Sequence, residues 1–193
     1  MKTFAMLLMI AVFAAVPGAL QAQEMDVPAT IQIPLLYKIL TFDRKLGNRT
    51  PDDVIVIAVV FQTGYRASAL ARDQVVDALK GMKDSTISDH PVRWVLLELD
   101  DLDAFNRALT RERVDVIYVT PLRGVELDGI ITAARSKAVT TFTGVPRYVE
   151  RGLGLGVGVN RERAQIIVNL TATRAEGSDF NSQLLRVSKV IEE

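Results

Sequence analysis

Val54-Ile-Val-Ile-Ala-Val-Val-Phe61 is an unbroken apolar run of strand length, and its reading decides the fold. A strand with one wet face alternates apolar and polar residues; a strand without alternation is covered on both faces, as parallel strands between helix layers are. The same grammar repeats on the C-terminal side. The loop Gln62-Thr-Gly-Tyr-Arg66 leads into a helix predicted from Ala67 to Met82, then a strand from Val92 to Leu99. A helix from about Asp101, a good N-cap, to Arg113 precedes a third strand, Val114 to Thr120. Pro121-Leu-Arg-Gly124 turns the chain into a helix from about Val125 to Lys137, followed by a fourth strand, Val139 to Thr143, and one short helix within 145–151. On the N-terminal side, Val27 to Leu46 reads as helix over its second half, with Pro34 in the first turn and Gly47-Asn48 as the stop. Strand-helix alternation of this kind implies parallel pairing through right-handed crossovers.

The pattern changes at Gly152-Leu-Gly-Leu-Gly-Val-Gly-Val-Asn160. Glycines 152, 154, 156 and 158 alternate with Leu153, Leu155, Val157 and Val159, so one strand face is apolar and the other is bare backbone. Glycine in a strand marks close approach of another backbone, a helix or a ligand. The turn Asn160-Arg-Glu-Arg163 joins this strand to Ala164-Gln-Ile-Ile-Val-Asn-Leu170, a pair that must be antiparallel. An amphipathic segment from Thr171 to Glu193 closes the chain, with Phe180, Leu184, Leu185, Val187, Val190 and Ile191 on one broad helical face. The expected fold is a three-layer α/β sandwich: a mixed, mostly parallel sheet, helices on both faces, and a C-terminal antiparallel hairpin.

Lys2, the apolar run Phe4 to Val16 and Ala19-Leu-Gln-Ala22 read as a secretory signal, with cleavage expected after Ala22 and residues 23–193 forming one domain. Thirteen apolar residues fall short of the roughly 17–25 that span a bilayer. The chain holds 23 basic and 23 acidic residues, a balance that gives no electrostatic reason for nucleic-acid binding. It contains no cysteine and one histidine, His90, so tetrahedral zinc and iron–sulfur ligation lack a ligand set.

Catalytic machinery is equally hard to find. There is no Gly-x-Ser-x-Gly elbow, and His90 reads as an exposed loop residue. Glu98, Asp100, Asp101 and Asp103 cluster where a strand meets a helix; helix capping explains them better than calcium. The glycine run imitates a dinucleotide fingerprint but is followed by a strand, not a helix. Ligands of open α/β sheets bind at the carboxyl ends of the strands. There the candidates are Thr63, Gly64, Tyr65, Arg66 and Ser68 after the first strand, Thr120 and Arg123 after the third, and Thr143 with Gly144 after the fourth. Hydroxyls and two arginines beside helix N-termini suit a small anion, and ordinary capping suits them as well. For a protein partner, the candidate surface is Gly152, Gly154, Gly156, Gly158 and Phe180.

Together these residues point to a family. The signal segment, the Leu35-Leu-Tyr-Lys-Ile-Leu40 helix, the alternating strands and helices and the glycine strand come in a characteristic order. Ile166-Ile-Val-Asn-Leu170, Ala175-Glu-Gly177, Phe180 with Leu184-Leu185, and Val187-Ser-Lys-Val-Ile191 follow. The order resembles the YfiR/HmsC family of periplasmic regulatory proteins, most specifically over residues 139–191. The resemblance implies a build like one lobe of a periplasmic binding protein and a non-enzymatic periplasmic regulator without cofactor. It also implies a partner, the periplasmic part of an inner-membrane diguanylate cyclase or sensor kinase, with cyclic di-GMP and biofilm formation as the output. Well-known members carry cysteines, so a cysteine redox switch is excluded for this chain. Their first helix commonly ends in a Trp-Pro-like sequence, where this one runs into Thr41-Phe-Asp-Arg-Lys-Leu46. A small-molecule module binding an anion or nucleotide-like ligand is the alternative, and self-association stays open.

Overall fold

In the computed structural model, which describes residues 25–50, 53–123 and 127–192, the apolar run forms β1 (Ile55–Phe61), buried along its whole length. The predicted signal peptide, and the expected end of the turn at Gly124 and start of the next helix at Val125, lie outside the described residues. Element order is α1 (Ala29–Leu40), α2 (Leu46–Arg49), β1, α3 (Arg66–Gly81), β2 (Thr86–Ile87), β3 (His90–Glu98), α4 (Leu102–Arg111) and β4 (Val116–Val119). It continues with α5 (Leu127–Lys137), β5 (Thr140–Thr143), α6 (Pro146–Glu150), β6 (Leu155–Asn160) and β7 (Arg163–Asn169). Last come α7 (Leu170–Ala175), α8 (Ser182–Val187) and β8 (Lys189–Ile191).

The sheet runs β2-β3-β1-β4-β5-β6-β7-β8. Strands β3, β1, β4, β5 and β6 are parallel, and the β6–β7 hairpin is antiparallel, with Leu155 opposite Val168 and Asn160 opposite Arg163. Because β1 sits between β3 and β4, the strand order reverses at β1/β4, the switch point of an open α/β sheet.

Side-chain alternation along β1 divides the core. Ile55, Ile57 and Val59 join Ile33, Leu36 and Leu40 of α1, Val75 and Leu79 of α3, and Phe180 and Leu184 on one face. Val56, Ala58 and Val60 join Phe105 and Leu109 of α4, Ile130 and Ala134 of α5, and Tyr148 of α6 on the other. Three layers result, as the apolar pattern requires.

Several local expectations are corrected. Helix α1 begins at Ala29, so Pro34 lies inside it and not in its first turn. The missing N–H frees the Thr30 carbonyl, and Thr30 is exposed to water, which makes the proline tolerable. Gly47 and Asn48 do not end α1, which stops at Leu40; they sit in α2, whose Leu46 is drawn into the core. Asp43 Oδ1 holds the intervening turn by accepting from the amides of Lys45 and Asp179, both at 3.0 Å.

The single closing helix is the larger miss. Its span divides into α7, α8 and β8, and Val190 and Ile191 lie in a strand paired in parallel with β7. Gly177, at φ 81°, breaks the helix just after α7, and the Asn181 side chain caps α8 by accepting from the amides of Gln183 and Leu184. At the opposite edge, β2 covers only the first two residues of β3. Among the described residues, no strand pairs with the outer edge of Val92 to Glu98.

Candidate functional site

The loops after β1, β4 and β5 meet at the carboxyl edge of the sheet, at the switch point, as the parallel topology dictates. Their hydroxyls are turned inward. Ser68 Oγ and Thr120 Oγ1 are 2.7 Å apart across the β1/β4 crevice, and both residues are fully buried. Ser68 Oγ accepts from the Gln62 amide at 2.8 Å, while Thr120 Oγ1 donates to the Val60 carbonyl at 2.9 Å. Thr143 Oγ1 donates to the Val119 carbonyl at 2.9 Å and accepts from the Val145 amide at 3.1 Å. A second lace joins the loops, with the Arg123 amide donating to Gln62 Oε1 at 2.8 Å. Gly144 is also occupied space, since the Gln32 amide group lies where a side chain would begin. Of the nine predicted ligand residues, Thr63, Gly64, Arg66 and Arg123 are exposed and Tyr65 is half-buried. Ser68, Thr120, Thr143 and Gly144 are buried, and their contacts within the chain draw the three loops together.

Tyr148 adds to these contacts. Its hydroxyl accepts from the Leu122 amide at 2.8 Å and donates to the Leu122 carbonyl at 3.1 Å, and burial raises its pKa. Nearer α1, the Tyr118 hydroxyl donates to Gln32 Oε1 at 2.6 Å, deep in the core. Sequence reasoning passed over Gln32, Tyr118 and Tyr148. The one available signal was a lone glutamine on the apolar face of α1.

The glycine strand is corrected as a docking surface. Gly154, Gly156 and Gly158 are buried, and the approach that they permit is made by this chain's own helices. A Cβ at Gly156 would stand 2.5 Å from Val149 Cγ2 of α6, and one at Gly158 would stand 2.8 Å from Pro146 Cγ. Gly154 lies against Thr173 and Glu176 at the end of α7, and Gly152, at φ 118°, forms the turn before β6. Phe180 is 6% exposed and belongs to the core.

Glu176, also unforeseen, is fully buried beneath the glycines. Its carboxyl group accepts from the Thr141 amide at 2.9 Å and the Thr141 hydroxyl at 2.6 Å. The Thr141 hydroxyl in turn accepts from the Gly154 amide at 2.7 Å. Loss of hydration outweighs these donors and the positive charge of Arg135, raising the pKa to about 8.

The remaining polar residues fit structural roles. Asp101 caps α4, accepting from the Ala104 amide at 2.6 Å. His90 opens β3 and is partly buried, not the exposed loop residue expected, with Nδ1 3.3 Å from the Asp53 carbonyl. Among the described residues no group of three or more His, Asp or Glu is placed to hold a metal ion, and no helix is long and apolar enough to cross a membrane.

Comparison with known proteins places this geometry in context. The sequence profile of a family described as YfiR/HmsC-like matches residues 30–189. No curated protein matches the chain. A conserved domain protein from Vibrio cholerae superposes with a TM-score of 0.56 at 17% identity, over 86% of this chain and 60% of that one. The ABC domain in complex with L-Trp from Streptococcus pneumoniae gives 0.52 at 12% identity, over 85% and 60%. The ligand-free, open form of a substrate binding protein with adhesive properties from Clostridium difficile gives 0.51 at 18%, over 77% and 57%. At these identities the likeness is one of fold: the chain is built like one lobe of a binding protein and spans about three-fifths of each structure's length.

Proposed function

The chain belongs to the YfiR/HmsC-like family of non-catalytic periplasmic regulators, and from that premise we propose that it binds the periplasmic part of an inner-membrane signalling protein, a diguanylate cyclase or a sensor kinase, and sets its output. The observation that carries the reading is the family match over residues 30–189. Two features of the geometry support it. The crevice where a binding-protein lobe would receive a ligand is laced by the Ser68–Thr120 and Gln62–Arg123 hydrogen bonds. Apolar side chains are exposed along the C-terminal part of the sheet: Val159 of β6 is 49% and Val187, at the end of α8, 69% exposed, and Val190 of β8, paired with Val168, is 36% exposed. Val159 and Val187 replace the glycine face as the proposed docking residues, since exposed apolar side chains are what a protein partner covers.

Capture from solubilised membranes by the tagged protein tests the proposal. A signalling protein with a periplasmic domain should be retained, and deletion of the regulator should change cyclic di-GMP or kinase output. Unchanged output in the deletion strain, for both readouts, refutes it.

The small-molecule alternative rests on Arg66 and Arg123, two exposed cations of the carboxyl edge. Its support is the fold shared with the L-Trp complex and the substrate binding protein above. Thermal-shift screening of nucleotides and small anions decides it, because ligand stabilisation should vanish in Arg66→Ala and Arg123→Ala.

A further inference from the structure

Met25 lies where the two sides of the core meet, packed against both apolar clusters at the carboxyl edge of the sheet. Its thioether stands among strong hydrogen-bond donors. Gln32 is fully buried; its Nε2 donates to the Val27 carbonyl at 2.5 Å and turns its other proton to Met25 Sδ at 3.6 Å. The Tyr118 hydroxyl has one proton and two acceptors, Gln32 Oε1 at 2.6 Å and Met25 Sδ at 3.3 Å. Sulfur of this kind is a weak acceptor, so a buried amide proton is left under-satisfied. The site is not sealed. Met25 lines an open cavity of about 500 Å³ between the Met25–Thr30 segment and Gln74, Asp77 and Ala78 of α3.

We propose that Met25 is an oxidant-reactive modification site: hydrogen peroxide or hypochlorous acid converts its thioether to the sulfoxide, whose oxygen accepts the hydrogen bond that Gln32 now directs at sulfur and draws over the Tyr118 proton that now goes to Gln32 Oε1. The sulfur lone pair attacks one peroxide oxygen, an S–O bond forms and the O–O bond breaks. The departing hydroxide takes the remaining peroxide proton as water, so sulfur is oxidised by two electrons and the peroxide reduced. With hypochlorous acid, chloride and a proton leave instead. The S–O bond is strongly polar; Gln32 Nε2 already faces the atom on which it forms, and the Tyr118 hydroxyl lies 3.3 Å from that atom. They therefore favour the product and the path to it. The change acts on the segment that leads into α1, pinning it to the sheet edge through a polar contact in place of a greasy one. A reductase that restores the thioether reverses it. This inference does not rest on the regulatory reading.

Met82, at the C-cap of α3 and also half-buried, is an internal clock in the same molecule. The protein is treated with limiting peroxide or hypochlorous acid, and sulfoxide is followed peptide by peptide by mass spectrometry. Met25 should oxidise at least about fivefold faster than Met82. Tyr118→Phe and Gln32→Leu should each lower that ratio, with fold monitored by circular dichroism. If Gln32→Leu does not fold, Tyr118→Phe and the wild-type ratio carry the test. Equal or inverted rates at the two methionines overturn the proposal. So does a ratio unchanged in a folded variant, which would reduce Met25 to an ordinary accessible thioether.

Discussion

Glu176 sets the sign of one pH effect. Its pKa is raised from 4.5 to about 8 because burial removes the hydration of the charged form. The unfolded chain therefore gives up this proton first. Stability from the group is fully present below the unfolded-state value and is lost as pH rises through the folded-state value, with a slope approaching ~1.4 kcal/mol per pH unit between them. Glu176→Gln cannot lose that proton, so its urea-measured stability should depend less on pH and exceed the wild type's at the alkaline end. An unchanged pH profile would refute this. Gly156 gives a second residue-scale test. A methyl group there meets Val149 and stands 3.1 Å from the Thr143 carbonyl, backbone that cannot swing away. Gly156→Ala should cost about 1–3 kcal/mol by overpacking, read as a lower urea midpoint at constant m-value.

Elements are held by clamps that periodicity does not reveal. Tyr148 ties α6 to the loop after β4 through both backbone groups of Leu122. Tyr148→Phe should destabilise by about 1–3 kcal/mol, because it strands a buried amide; a denaturation midpoint within error of wild type would show that water replaces the hydroxyl. The elements themselves were largely legible. Strands β1, β3, β4 and β5 and helices α3, α4 and α6 fall within three residues of their expected bounds: β1 and β4 are buried on both faces and read as uninterrupted apolar runs, and the strand–helix alternation places the rest. The C-terminal segment misled because Val190 and Ile191 are spaced for a helix, yet pairing with β7 offers them a sheet edge. Gly177 and Asn181 were readable as a stop and a start. The loops after β1, β4 and β5 stand at the carboxyl edge as the alternation requires, but no spacing shows that Ser68 and Thr120 would bond to each other.

At the scale of the whole molecule, the proposed docking surface is separable from the core. Val159→Glu with Val187→Glu should abolish capture of the membrane partner while changing unfolding free energy by less than about 0.5 kcal/mol per site, since both side chains are exposed. Loss of capture together with a large loss of stability would assign the valines to packing. The two margins of the sheet also differ. One ends in the three residues of β8; at the other, among the described residues, the main chain of β3 beyond its first two residues has no outer partner strand, with Leu96 44% exposed and Trp94 half-buried. Such a margin can template the growth of foreign strands, rung on rung. The charges of Arg93 and Glu98 on that strand are of the kind that oppose such growth, so replacing both with apolar residues should raise ordered aggregation at high concentration, read by light scattering.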